Sequence, residues 1–308
     1  MKRAVVTGGA GFIGRWLVSA LLADGWSVAV LDDFSNGSAA NLADFEDEAR
    51  FALIEGSIAE PAAIDELFAG GSDTCFHLAA RINVQHSIDD PAGTFVPDVN
   101  GTLLALEAAR LNAAPFLFMS SCMVYGPAEG RPIDEQHPVR PASPYAASKI
   151  AGEALTLSYG MSYGHPVTVV RPFNTYGPYQ RTDGEGGVVA IFCHRALAGE
   201  PIGIFGDGTQ TRDLLYVEDC VDFLLRAAAS DTARGEVLNA GTGVDVTVNE
   251  LARIVGKDGP VEHVAHPHPQ AEIARLVCDP AKARRLLGWA PKTELAEGVR
   301  RTTAWLQA

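Results

Sequence analysis

Tyr145 and Lys149 stand four residues apart in Tyr145-Ala146-Ala147-Ser148-Lys149, a spacing that puts a phenol and an ammonium on one face of a helix. A buried phenol beside an ammonium has its ionised form favoured, so the pair is expected to exchange a proton with an alcohol near neutral pH. Ser121, just past the apolar run Phe116–Ser120, is placed to share that proton. Such a trio suits hydride transfer between a carbinol carbon and a nicotinamide. The Tyr/Lys spacing alone occurs by chance in many helices; its meaning comes from what precedes it.

What precedes it is Thr7-Gly8-Gly9-Ala10-Gly11-Phe12-Ile13-Gly14, after an apolar run and before a helical pattern. Glycines at 8, 11 and 14 allow a tight turn and bring bare backbone against a pyrophosphate, while the helix N-terminus beyond supplies N–H donors. Asp32 and Asp33 close the second apolar run, Asp32 lying 18 residues after Gly14. An acidic residue there meets the diol of an adenosine ribose and repels a 2′-phosphate. No arginine follows within Phe34-Ser35-Asn36-Gly37, so the expected cofactor is NAD rather than NADP.

Parallel strands and crossover helices must position these groups. Strands are predicted at Ala4–Thr7, Ser27–Leu31, Phe51–Glu55, Thr74–Leu78, Phe116–Ser120 and Val167–Arg171, each mostly apolar, as strands covered on both faces are. Helices are predicted at Ile13–Ala23, Pro61–Phe68, Gly101–Leu111 and Pro144–Tyr159, the last with Ser143 as N-cap and Pro144 at its first position. This alternation predicts an α/β chain with a Rossmann-type, doubly wound parallel sheet. After about residue 172 glycines and prolines multiply, and helices at Val188–Ala198, Glu218–Ala229, Asn249–Val255 and Pro280–Leu287 alternate with short strands. That region reads as a smaller irregular α/β lobe. The division expected is 1–172 with 211–241 for the dinucleotide, and 173–210 with 242–308 for the substrate.

Composition excludes several other classes. With 24 Lys+Arg against 38 Asp+Glu, a net charge of −14, the chain is unsuited to coating a nucleic-acid backbone. The cysteines at 75, 122, 193, 220 and 278 are odd in number and show no ligand spacing, which fits a reducing cytoplasm and no structural zinc. Glycines and Thr7 interrupt the N-terminal apolar run, and no stretch reaches the roughly 18 apolar residues of a membrane span. His263-Val264-Ala265-His266-Pro267-His268-Pro269 reads as a solvated loop, because the prolines extend it and no Asp, Glu or Cys completes a metal set.

Together these residues resemble the extended short-chain dehydrogenase/reductase family, specifically its NAD-dependent nucleotide-sugar epimerases and dehydratases. The likeness runs through Leu31-Asp32-Asp33-Phe34-Ser35-Asn36-Gly37, Phe76-His77-Leu78-Ala79-Ala80, Val124-Tyr125-Gly126 and Arg171-Pro172-Phe173-Asn174-Thr175-Tyr176-Gly177-Pro178. It continues in Phe205-Gly206-Asp207-Gly208, Thr211-Arg212-Asp213, Asn239-Ala240-Gly241-Thr242-Gly243 and Leu287-Gly288-Trp289-Ala290-Pro291. The resemblance implies that Gly8, Gly11, Phe12, Ile13, Gly14, Asp32, Asp33, Ser35, Asn36, Ser57, Ile58, Leu78, Ala79, Ala80, Lys149 and Pro172 line the NAD site. It implies that Asn174 and Arg212 hold a substrate diphosphate and that Phe205 lies against the nucleobase, a UDP-linked hexose or hexosamine being favoured. It also implies a homodimer joined through helices near 101–111 and 145–159.

The chain departs from the family at several places. Ser57 stands where an Asp usually meets adenine, and Asp98 where an Asn is usual. Ala274 occupies a phosphate-binding arginine's position; Arg275, one residue on, would face the other way in a strand. Leu276, near the gate for a 2-acetamido group, is of intermediate size and decides nothing.

Oxidation at C4 acidifies the C5 proton, and from there family members diverge. A 4-epimerase returns the hydride to the opposite face. A 4,6-dehydratase expels the C6 hydroxyl with an Asp-Glu pair immediately after the serine or threonine. Here those positions are Cys122 and Met123. Cys122 is the expected proton donor to a leaving C6 hydroxide, with hydride returned to C4 and a C5–C6 double bond left behind. The alternative is a 4-epimerase in which Cys122 and Met123 fill pocket volume. Tyr145 is the candidate C5 base. Intact Tyr145, Lys149 and Ser121 argue against a non-catalytic NAD-binding regulator, and Asp32 against an NADPH reductase.

Overall fold

The computed structural model describes residues 1–308 apart from 129, 184–186, 257–258, 267–268 and 270–272. Seven parallel strands form the large sheet: β1 (Arg3–Thr7), β2 (Ser27–Asp32), β3 (Phe51–Glu55), β4 (Thr74–His77), β5 (Phe116–Met119), β6 (Val167–Pro172) and β10 (Val237–Ala240), in the order β10-β6-β5-β4-β1-β2-β3. Alternate residues of these strands enter two different cores. Ala4, Val6, Val28, Val30, Phe76 and Leu117 pack on one face, whereas Val5, Ala29, Cys75 and Phe116 pack on the other. That two-sided burial is why the strands read as continuous apolar runs. The fold class expected from sequence is the one found.

From β1 the chain winds outward to β2 and β3, then returns to β4 and proceeds the other way. The reversal opens a crevice at the C-terminal ends of β1 and β4, where open α/β sheets bind ligands. Crossover helices cover both faces: α1 (Phe12–Ala23), α2 (Pro61–Phe68), α3 (Val84–Asp89), α4 (Pro91–Phe95), α5 (Thr102–Leu111) and α6 (Pro144–Tyr163). Between α4 and α5 a π-helical turn, Val96–Gly101, carries Asp98 into the interior. Pro97 lies within this turn.

The remaining elements form the smaller lobe and its ties to the sheet. They are β7 (Asn174–Tyr176), α7 (Val188–Ala198), β8 (Ile202–Phe205), β9 (Thr211–Tyr216), α8 (Val217–Ala229), β11 (Asp245–Thr247), α9 (Val248–Gly256), β12 (Val261–Val264), β13 (Arg275–Leu276), α10 (Ala281–Leu287) and α11 (Leu295–Leu306). β9 is flanked by β11 and β13 and also pairs with β7, while β8 pairs with β12. Residues 211–216, grouped by sequence with the dinucleotide domain, thus pair into the small sheet, and α8 and β10 carry the chain back to the large one. Helix α11 was not anticipated, because its buried residues are only Gly298, Val299 and Thr302. Of the histidine-rich loop, 267–268 lie outside the described residues; His263 Nδ1 is 2.8 Å from the Gly206 carbonyl oxygen and the His266 ring is tilted against Phe205. Among the described residues no helix is long and apolar enough to cross a membrane.

Candidate active site

The crevice at the strand reversal is a cleft with about 770 Å³ of open space. Its walls include Gly8, Gly11, Phe12, Ile13 and Gly14 from the first turn, Asp32, Asp33, Ser35 and Asn36 after β2, and Ile58, Leu78, Ala79 and Ala80 beyond. Backbone approaches there leave no room for side chains. A Cβ on Gly14 would lie 2.1 Å from the Gly8 carbonyl oxygen, and one on Gly8, whose φ is +74°, 2.6 Å from the Ala79 nitrogen. Asp32 Oδ2 accepts the Ala10 N–H and Oδ1 the Phe34 N–H, each at 2.9 Å. A carboxylate oxygen has two lone-pair sites, so each keeps one for a ribose hydroxyl. Burial raises the Asp32 pKa against the opposing effect of those backbone bonds. The bare-glycine turn and the buried acid both fit NAD.

Three residues named from sequence stand apart from this cleft's walls. Ser57 turns its hydroxyl to the Ala59 N–H, Pro172 ends β6 and Lys149 lies deeper. Arg81, not among the residues predicted for the site, lines the cleft and pairs with Asp33 at 3.1 Å. Its only signal was its place directly after Leu78-Ala79-Ala80.

Helix α6 builds the proton-transfer centre. The Ser143 hydroxyl caps it by accepting the Ala146 N–H, Pro144 fills its first position, and Gly164 ends it in the left-handed region at φ 62°. Tyr145, Ser148, Lys149, Gly152, Glu153 and Thr156 form its buried face. Lys149 Nζ donates to the Met119 carbonyl at 2.9 Å, at the end of β5, and lies 6.0 Å from the centre of the Tyr145 ring. Ser121 hydrogen-bonds the Tyr145 phenol and accepts the Met123 N–H at 3.2 Å. The three residues are therefore together.

Their protonation corrects one expectation. Burial pushes the Tyr145 phenol well above its ordinary pKa, and the Asp98 carboxylate pushes it further, against the lowering by Ser121. Lys149, itself depressed by burial and supported by Asp98 and Glu153, does not bring the phenol down. Desolvation outweighs the neighbouring charge because the phenol is only 7% exposed.

Cys122 follows directly, 3% exposed, among Val124, Tyr125, Ile133, Phe173, Leu276 and Cys278. Burial pushes its thiol up to about 12, with the Arg212 charge opposing. On the lobe side, Arg212 Nη1 donates to the Thr211 and Ile273 carbonyls at 2.8 and 2.9 Å. Asn174 Oδ1 is buried without a hydrogen-bond partner, as an atom awaiting a ligand would be. Phe205 is 45% exposed at the end of β8. Arg275 opposes Thr211 across the β9–β13 pair while Leu276 opposes Arg212, so the two arginines leave opposite faces. Arg275 Nε donates to Asp245 at 2.9 Å.

A buried polar chain under the site also escaped the sequence reading. Ser120 and Arg171 both donate to Glu153, Arg171 Nη1 donates to the Tyr125 hydroxyl at 2.8 Å, and Tyr125 donates to Asn239 at 2.7 Å. It fastens α6 to the ends of β5, β6 and β10. Its members lie up to 119 residues apart, and of them only Tyr125, Arg171 and Asn239 stand in the motifs that carry the family resemblance.

Comparison with known proteins agrees with this geometry. A model described as the NAD dependent epimerase/dehydratase family matches residues 4–241. A UDP-glucose 4-epimerase of Mycolicibacterium smegmatis is 41% identical, covering 99% of this chain and 98% of its own. The crystal structure of Pal from Bacillus thuringiensis is 48% identical with a TM-score of 0.96, covering 99% of each chain. UDP-glucose 4-epimerase of Thermus thermophilus, solved with NAD, is 34% identical with a TM-score of 0.91 over 99% of each.

Proposed function

The chain belongs to the NAD-dependent epimerase/dehydratase family, and from that premise we propose that it oxidises C4 of UDP-N-acetylglucosamine transiently and removes water across C5 and C6. The observation that supports the second half is the place of Cys122, buried directly after Ser121 where dehydratases carry their acid; burial pushes its thiol up to about 12, which keeps it protonated but makes it a weaker acid than an ordinary thiol. Bound NAD supplies the acceptor, and later the donor, of the C4 hydride. Tyr145, held protonated by burial, first releases its own proton to solvent, and its phenolate, hydrogen-bonded by Ser121, then takes the O4 proton as the carbonyl forms. The C5 proton, now acidic, leaves to a base, for which Tyr145 is the candidate once its first proton has passed on. The C5–C6 double bond forms as the C6–O bond breaks, and Cys122 protonates the departing hydroxide to water. Return of hydride to C4 and a proton to O4 gives a 5,6-unsaturated sugar, and Cys122 regains its proton from solvent. This outcome resembles that of the UDP-N-acetylglucosamine 5,6-dehydratase of tunicamycin biosynthesis, which would place the chain in antibiotic assembly.

A second reading, 4-epimerisation of a UDP-hexose or UDP-N-acetylhexosamine, is favoured by the apolar packing of Cys122 and by the activity named for two of the relatives. Incubation with UDP-N-acetylglucosamine and NAD separates them. Dehydration gives a product lighter by one water with vinylic C6 protons; epimerisation gives unchanged mass and an axial C4 hydroxyl. Full dehydratase turnover by Cys122→Ala would remove the thiol from the mechanism. We further propose that residues 1–172 with 217–241 bind the dinucleotide, that Asn174 and Arg212 hold the substrate diphosphate while Phe205 lies against the nucleobase, and that two copies pair through α5 and α6.

A further inference from the structure

The cofactor cleft is lined by two carboxylates, Asp32 and Asp33, and among the described residues by one cation, Arg81. A dinucleotide brings a doubly charged pyrophosphate, which unpaired carboxylates on the walls would oppose. Asp32 is held by the Ala10 and Phe34 N–H groups. Asp33 accepts the Ser35 N–H with Oδ1 at 3.0 Å and the Arg81 guanidinium, through Nη2, with Oδ2 at 3.1 Å. Its carboxylate is thus fixed on one side by its own turn and on the other by a distant cation.

The two partners come from opposite sides of the glycine turn. In the large sheet β1 lies between β2 and β4. Asp33 follows β2 and Arg81 follows the end of β4, so their ion pair bridges the loops that flank the turn after β1. The loop carrying Arg81 is pinned along its length. The Leu78 N–H donates to the Thr7 carbonyl at 3.1 Å, the Arg81 N–H to Asp98 Oδ1 at 2.8 Å, and Asn83 caps α3 by accepting the His86 N–H at 2.7 Å. The backbone at Arg81 is therefore anchored independently of its guanidinium. With side chains 32 and 29% exposed, the ion pair adds little to the stability of the fold. Its place across the cofactor cleft gives it another use.

The chemistry supplies that use. In both reactions weighed above, hydride leaves C4 of a sugar and returns to the same sugar. Escape of the reduced dinucleotide between the two transfers would strand a ketone. We propose that the Asp33–Arg81 ion pair is a clasp across the cofactor cleft that retains the reduced dinucleotide between the two hydride transfers. The proposal rests on the reading of this cleft as the dinucleotide site, and it holds for dehydration and epimerisation alike.

The test reads release of the cofactor and needs no sugar. The full chain, freed of nucleotide, is loaded with NADH; excess NAD is then added, and the fall in bound-NADH fluorescence gives the dissociation rate. The variants are Arg81→Gln, Asp33→Asn and the two together. Release is expected to quicken by about fivefold or more in each single variant and no further in the double, because either change opens the same pair. An Arg81→Gln rate within about twofold of wild type would overturn the clasp, and so would single effects that multiply in the double variant. Slower release from Asp33→Asn would overturn it too, by showing that Arg81 grips the phosphates better without its partner. A wild-type chain that binds no NADH is a different failure: it would overturn the reading of the cleft itself.

Discussion

At His77 the ring sits without exposure between Thr7 and Thr102, its Nδ1 2.8 Å from one hydroxyl and its Nε2 3.0 Å from the other. Burial lowers its pKa from 6.5 to about 3, with the Lys149 charge adding to the effect. The unfolded chain binds a proton there below 6.5 and the folded chain does not until about 3. His77 therefore leaves stability untouched above that window and removes it as pH falls through it, by up to about 1.4 kcal/mol per pH unit. Buried carboxylates Asp32, Asp98 and Asp213 have raised pKa values and work with the opposite sign, gaining stability as they protonate. Denaturant unfolding at several pH values should show a steeper acid loss in wild type than in His77→Gln. Parallel slopes between pH 6 and 4 would sink this account. Residue identities such as Tyr145, Lys149 and Gly14 were legible in the sequence, because spacing alone puts them on one face or in one turn. Proton affinities were not, because they depend on desolvation by residues far away in the chain.

Element boundaries came close wherever the apolar pattern had to serve two cores at once. Phe51–Glu55, Pro61–Phe68 and Val188–Ala198 match residue for residue. The misses have local causes: α11 buries too little, and the π-helical turn ahead of α5 has no periodic signature. Helix α6 shows packing overruling propensity. Gly152 lies in its interior, where alanine would ordinarily add up to about 1 kcal/mol of helix stability. A Cβ there would stand 2.3 Å from the Phe118 ring, which is 1% exposed and walled in by the second core. Gly152→Ala should therefore destabilise the protein, by about 1–3 kcal/mol in urea unfolding, and should weaken activity by shifting Tyr145 and Lys149 together. A variant more stable than wild type would show that Phe118 can yield.

At the scale of the whole molecule, apolar side chains along α4, α5 and the end of α6 are exposed. Phe95, Val96 and Leu103 are between 41 and 47% exposed, Leu111 is 70% exposed, and Met161 and Tyr163 at the end of α6 are 90 and 60% exposed. The sequence reading reached this face only through family resemblance, since a single chain's periodicity records what is buried at home and not what a second copy would cover. A two-fold pairing would bring each patch onto its own copy. Net charge opposes that pairing, because each chain carries −14 and two copies repel. Association through an apolar patch under such repulsion must tighten as salt screens the charge, the reverse of an interface held by ion pairs. Analytical ultracentrifugation should find a mass of two chains, with a dissociation constant that falls from low to moderate salt. Leu103→Glu combined with Leu111→Glu should give a single-chain species with an unchanged melting temperature, since both side chains project outward. A wild-type protein that sediments as one chain at every salt concentration would leave α5 and α6 without the partner proposed for them.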